Sequence, residues 1–85
     1  MVDENTLNKV TAVLRDVFDN DDLVVTPELT ARQVTGWDSL GNVRLFVELE
    51  QAFALRFSAA EIGSLKNVGQ LVDLIDKKAH RATSG

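Results

Sequence analysis

Apolar residues recur at helical spacing in three stretches of the chain. In the first, Leu7, Val10, Leu14 and Val17 fall at i, i+3, i+7 and i+10, and Val13 and Phe18 widen the stripe. This predicts a helix over 4–18. Asp3 stands just before it as the expected N-cap, because a carboxylate there accepts from the first unpaired backbone N–H groups. The second helix is expected over 39–54, with Asp38 as N-cap. Ser58-Ala59-Ala60-Glu61 has the capping-box pattern and opens a third, very short helix, which Gly63 helps to end. Asn67 caps a fourth, in which Val68, Leu71, Val72 and Ile75 repeat the i, i+3, i+4, i+7 spacing. Lys77 and Lys78 in its last turn suit the negative end of the helix dipole. Residues 80–85 read as a frayed tail after a helical domain at 1–79.

No segment alternates apolar and polar residues as a half-buried strand would. The expected fold is therefore all-α: a small bundle of three main helices and one short helix, with a long loop between the first two. That loop, 19–37, opens with the polar breaker Asp19-Asn20-Asp21-Asp22. Leu23, Val24 and Val25 are expected to pack it onto the helices, and Thr26-Pro27-Glu28 is a candidate for one helical turn. Long loops in small domains are often functional.

The second helix carries apolar residues on two sides. At about 100° per residue, Leu45, Phe46, Leu49, Ala52 and Phe53 share one side with no charge among them, which makes that side the core face. Leu40, Val43 and Val47 fall roughly opposite, interleaved with Arg44, Glu50 and Gln51. Exposed aliphatics amid charge often mark a docking surface, but a small bundle can also wrap a helix and bury both sides. Geometry alone leaves both readings open.

Composition narrows the function. The 85 residues suffice for one small domain, and 45% hydrophobic content is enough for a core. With no cysteine, disulfide and thiolate chemistry are excluded, and a cytoplasmic setting fits. The acidic N-terminus lacks the basic flank and apolar run of a signal peptide, and no stretch reaches membrane-spanning length. A net charge of −4 argues against nucleic-acid binding, which needs clustered Lys and Arg. No membrane or nucleic-acid partner is expected, and the chain reads as a monomer.

The candidate chemistry is at Asp38-Ser39-Leu40. Ser39 stands at a helix start, where free N–H groups and the helix dipole favour an anion, including a phosphodiester on the serine itself. Gly41 is expected to leave the first turn open for such a group. Trp37-Asp38-Ser39-Leu40-Gly41 only half-matches a hydrolase nucleophile elbow. Trp37 stands where that motif needs glycine, no strand precedes it, and the one histidine, His80, is in the expected tail. A calcium loop starting at Asp19 fails at Leu23, Val24 and Thr30, which occupy positions that need a ligand, glycine and glutamate. Glu48 and Glu50 read as ordinary helix-surface acids.

Gly36-Trp37-Asp38-Ser39-Leu40, with Val43, Leu45, Leu49, Glu50 and Phe53 behind it, resembles the acyl carrier protein family. The resemblance runs from the first helix to Ile75 and includes Phe57-Ser58 and Asn67-Val68-Gly69. It implies that Ser39, flanked by Asp38 and Leu40, carries 4′-phosphopantetheine, transferred from coenzyme A by a phosphopantetheinyl transferase. It implies a non-enzymatic carrier whose arm ends in a thiol, so that a chain without cysteine holds acyl groups as thioesters. Acyl-loading and acyl-processing enzymes of fatty-acid, polyketide or other specialised acyl biosynthesis would be its partners. It places Leu40, Val43, Arg44, Val47 and Glu50 on the partner-recognition face. The chain departs from the family where Gly41 and Arg44 replace typically acidic positions, which points to a discrete carrier of a specialised pathway. An unmodified helical adaptor and a peptidyl or aminoacyl carrier are the alternatives.

Overall fold

A computed structural model describes residues 3–84, with side chains through Ala79. It contains four α-helices: α1 (Glu4–Val17), α2 (Ser39–Phe53), α3 (Ala59–Ser64) and α4 (Val68–Ser84). A 3-10 turn at Ala31–Gln33 interrupts the α1–α2 loop, and no strand occurs among the described residues.

Each helix start is capped by the expected side chain. The Asp3 carboxylate accepts from the N–H groups of Asn5 and Thr6, and Asp38 Oδ1 accepts from Gly41 N–H at 2.9 Å. Ser58 and Glu61 form a reciprocal capping box, and Asn67 Oδ1 accepts from Gln70 N–H. Helix ends were less legible. Helix α1 stops at Phe18, and Asp19 adopts the left-handed conformation (φ 51°) that a short polar side chain tolerates. Gly63 does not end α3; the helix continues through it to Ser64, with Leu65 as C-cap. Helix α4 runs to Ser84, which puts Lys77 and Lys78 before its last turn rather than in it. The side chain of His80 and all of Gly85 lie outside the described residues.

The core joins α1, α2 and α4. Val10, Leu14, Leu45, Phe46, Leu49, Val68, Leu71, Val72 and Ile75 are buried together. Ala52 and Phe53, expected on the core face, are only half-buried, and Lys9 Nζ lies 4.8 Å above the Phe53 ring. Thr6 Oγ1 donates to Asp76 and ties the start of α1 to α4.

The long loop is held by its backbone. Arg15 Nε donates to the Leu23 carbonyl at 2.9 Å. The Pro27 and Leu29 carbonyls accept from Gly69 and Val68 N–H at 2.8 and 2.9 Å, supplying two N-terminal donors of α4 that have no partner within their own helix. Gly69 makes that approach possible: a Cβ there would lie 3.1 Å from the Pro27 carbonyl oxygen. Thr26-Pro27-Glu28 forms a turn closed by Leu29 N–H to the Thr26 carbonyl, not a helical turn. The helical turn comes later, at Ala31–Gln33, where Gln33 Oε1 accepts from the Thr30 N–H at 2.9 Å. Leu23 and Val25 pack on the core as expected, but Val24 is 72% exposed, because neighbours in an extended segment point to opposite sides.

Candidate functional site

The start of α2 is positioned by a joint of small and aromatic residues. Phe18, at the end of α1, stacks on Trp37 with ring centroids 5.6 Å apart. Trp37 Nε1 donates to Asn42 Oδ1 at 2.9 Å, which locks the indole to the first turn of α2. Gly36 takes φ 92°, a conformation that disfavours any side chain, and its carbonyl points at Gly41. A Cβ on Gly41 would lie 2.1 Å from that oxygen and 3.0 Å from Phe18 Cε1. Gly41 is therefore buried, and its missing side chain admits the loop, not a prosthetic group. This corrects the expectation that it leaves the first turn open.

Ser39 is the first residue of α2 and is exposed. Its Oγ makes no hydrogen bond among the described residues, because the adjacent Asp38 carboxylate caps the helix. The N–H groups of Ser39 and Leu40 likewise have no partner among the described residues. A phosphodiester on Oγ would sit beside these donors at the positive end of a 15-residue helix, so the site fits the group that the sequence motif implies. Bound there, that group would supply a thiol, which the chain lacks.

Two side-chain rows descend α2 from this point. One continues from Leu40 to Val43, Arg44 and Val47. Leu40 is 70% exposed, Val43 61% and Val47 46%, so none of the three belongs to the core. Val43, Arg44 and Val47 line an open groove against Asp16 and Val17 of α1, with Glu48 beside them. Arg44 makes no ion pair among the described residues. Glu50, at i+3 from Val47, is half-buried, and its Oε2 accepts from Phe57 N–H at 2.9 Å, fastening the α2–α3 connection. The other row runs from Ser39 through Asn42 to Phe46, at i, i+3 and i+7. It leads to a cleft of about 70 Å³ between α2, α3 and α4, lined also by Trp37, Ile62, Lys66 and Leu71. Its lining comes from segments far apart in the chain, which no local pattern brings together.

No group of acidic or histidine side chains among the described residues could hold a metal ion, and no helix is long and apolar enough to cross a membrane.

The chain is similar to known proteins over most of its length. The family described as "Phosphopantetheine attachment site" matches residues 8–75. The chain is 33% identical over 72 residues to the acyl carrier protein of Rubrobacter xylanophilus, a match covering 85% of this chain and 89% of that one. The acyl carrier protein of Thermosynechococcus vestitus is similar to the same extent, 33% over 72 residues. The solution NMR structure of holo acyl carrier protein from Geobacter metallireducens superposes with a TM-score of 0.88 at 43% identity, covering 93% of this chain and 91% of that one.

Proposed function

Because the chain belongs to the acyl carrier protein family, we propose that Ser39 is its attachment point for 4′-phosphopantetheine. As a carrier, the protein bears an acyl group as a thioester on that prosthetic group. The assignment to Ser39 rests on one observation above the others: its hydroxyl is exposed and unengaged at the first residue of α2, while Asp38 caps the helix in its place. A serine that capped the helix would be occupied by backbone N–H groups. This one is available to lose its proton and bond to phosphorus.

The Leu40, Val43, Arg44 and Val47 row is the proposed recognition face for the phosphopantetheinyl transferase and for acyl-loading and acyl-processing enzymes. Its aliphatic groups are largely exposed among the described residues, which favours docking over burial. Glu50, one turn on from Val47, is proposed for the same face, with its Oε2 already accepting from Phe57 N–H. Of the two departures from family pattern, Gly41 is explained by packing, so the proposal of a specialised rather than general fatty-acid pathway rests on Arg44. A cationic side chain in this row repels the basic patches that suit acidic carriers.

The test is direct. Apo protein incubated with coenzyme A and a promiscuous phosphopantetheinyl transferase should gain one phosphopantetheinyl mass, and Ser39→Ala should gain none. Wild-type protein that stays unmodified would remove the proposal's main support and favour an unmodified adaptor.

A further inference from the structure

The turn that presents Ser39 is closed by nested side-chain bonds, an inner one and an outer one. The inner bond joins positions 38 and 41, where the Asp38 carboxylate accepts from Gly41 N–H. The outer bond joins positions 37 and 42, where the Trp37 indole N–H donates to Asn42 Oδ1 at 2.9 Å. Ser39 and Leu40 lie inside both rings, and neither is anchored by its own side chain: the serine is exposed and Leu40 is 70% exposed. The outer bond also reaches the rest of the fold. Trp37 is half-buried and stacks on Phe18, the C-cap of α1. Its backbone N–H donates to the carbonyl of the buried Val34. Asparagine is intrinsically unfavourable inside a helix, because its amide competes for backbone groups. At position 42, the fourth residue of α2, the bond to the indole offsets that cost.

We infer that the Trp37–Asn42 bond is a positioning clamp: it keeps the first turn of α2 formed in the free carrier, so that a phosphopantetheinyl transferase meets Ser39 already in place. The inference rests on Ser39 being the attachment point. In the transfer, Ser39 Oγ gives its proton to a base of the transferase and bonds to the pantetheine-side phosphorus of coenzyme A. The bond from that phosphorus to the bridging oxygen breaks, and adenosine bisphosphate leaves with the electron pair. Trp37 and Asn42 take no part in this exchange, so both are positioning residues. Their effect is on population. A half-buried indole N–H that loses its acceptor turns toward water, and the turn it closes opens with it. Only the closed fraction of free protein can dock, so apparent affinity falls with that fraction. Once docked, the turn is held by the transferase surface, and the chemical step is unchanged. The clamp therefore acts on KM and not on kcat.

The experiment measures kcat and KM for the apo protein with coenzyme A and a promiscuous phosphopantetheinyl transferase, each product confirmed by intact mass. Asn42→Ala should raise the KM for the carrier about two- to tenfold, the upper bound being what one ordinary hydrogen bond supplies, and leave kcat unchanged. Asn42→Asp, which keeps an oxygen for the indole, should restore KM. Trp37→Phe, which keeps the stack on Phe18 without the N–H, should raise KM as Asn42→Ala does. The double variant should raise it no further, because both changes remove one bond. Amide hydrogen exchange at Gly41 and Asn42, whose N–H groups bond to Asp38, should speed up in either single variant and return to normal in Asn42→Asp. Val10→Ala, a core truncation in α1, should lower Tm without moving KM. An unchanged KM in Asn42→Ala would overturn the inference. An equal rise in Val10→Ala would overturn it in favour of general stability. Additive rises in the double variant, or a fall in kcat at constant KM, would overturn it in favour of Asn42 touching the transferase directly. Absence of any mass gain in wild-type protein would instead overturn the Ser39 assignment. Amide exchange needs no modification and would still read the clamp, so the two failures are distinguishable.

Discussion

At the scale of single residues, two neighbours in α2 illustrate opposite constraints. Gly41 is dictated by packing. Replacing glycine by alanine inside a helix ordinarily stabilises by about 1 kcal/mol, but overpacking costs about 1–3 kcal/mol. Here the obstacle is the Gly36 carbonyl, 2.1 Å from the added Cβ, and backbone yields less readily than a side-chain tip. Gly41→Ala should therefore be net destabilising by about 1–2 kcal/mol in urea unfolding; a gain in stability would mean that the 36–38 segment gives way freely. Arg44 is free of such constraint. It is exposed and makes no ion pair among the described residues. Arg44→Glu should shift stability by no more than about 0.5 kcal/mol while changing which acyl-processing enzymes bind, measured by affinity against a panel of them. A large fall in Tm would show that Arg44 is structural after all.

At the scale of elements, α3 is six residues long, too short to stand on propensity alone. It is held by its capping box and by one cross-link to α4. The Ser58 backbone N–H donates to Glu61 Oε1, and Lys78 Nζ lies 2.9 Å from the same oxygen. The Ser58 N–H bond first, and then Lys78, hold the Glu61 carboxyl below its ordinary value. A lowered folded-state pKa means that the unfolded state binds the proton more readily. This contribution to stability is complete above the unfolded pKa of about 4.3 and is lost as pH falls through the lower folded value. Stability should decline with acid in that window, and Glu61→Gln should flatten the decline in denaturant midpoints measured across it. An unchanged slope would show that other carboxylates carry it. The capping box was legible in sequence because it is a four-residue pattern. Lys78 was legible only as a helix-end charge, because its partner lies 17 positions away, on another element.

At the scale of the whole molecule, the bundle depends on a shared core and on a loop used as a strap. Leu49 is fully buried among residues of α1, α2 and α4. Leu49→Ala should cost about 2–5 kcal/mol, a large part of the roughly 4–13 kcal/mol expected for a domain of this size. An unchanged Tm would contradict its place in the core. The strap joins the start of α4 through the Pro27 and Leu29 carbonyls and joins α1 through Arg15. This lets a long connection serve as part of the scaffold that fixes the first turn of α2. The same scale produced the cleft, whose walls come from α2, α3, α4 and the loop.

The sequence by itself determined the number and order of the helices, their N-caps, the core stripe and the serine motif. Each of these depends on residues within a few positions of one another, through helical periodicity or a side chain reaching a nearby N–H. Only the tertiary structure decided why position 41 is glycine, that Glu50 binds the Phe57 backbone, where the loop turns helical, and that Trp37, Asn42, Lys66 and Asn67 meet at one cleft. Those facts depend on distances between segments far apart in the chain, which periodicity does not encode. Ser39 lies at the boundary between the two: local pattern placed it at a helix start, and the packed fold left its hydroxyl exposed while Asp38 took the cap.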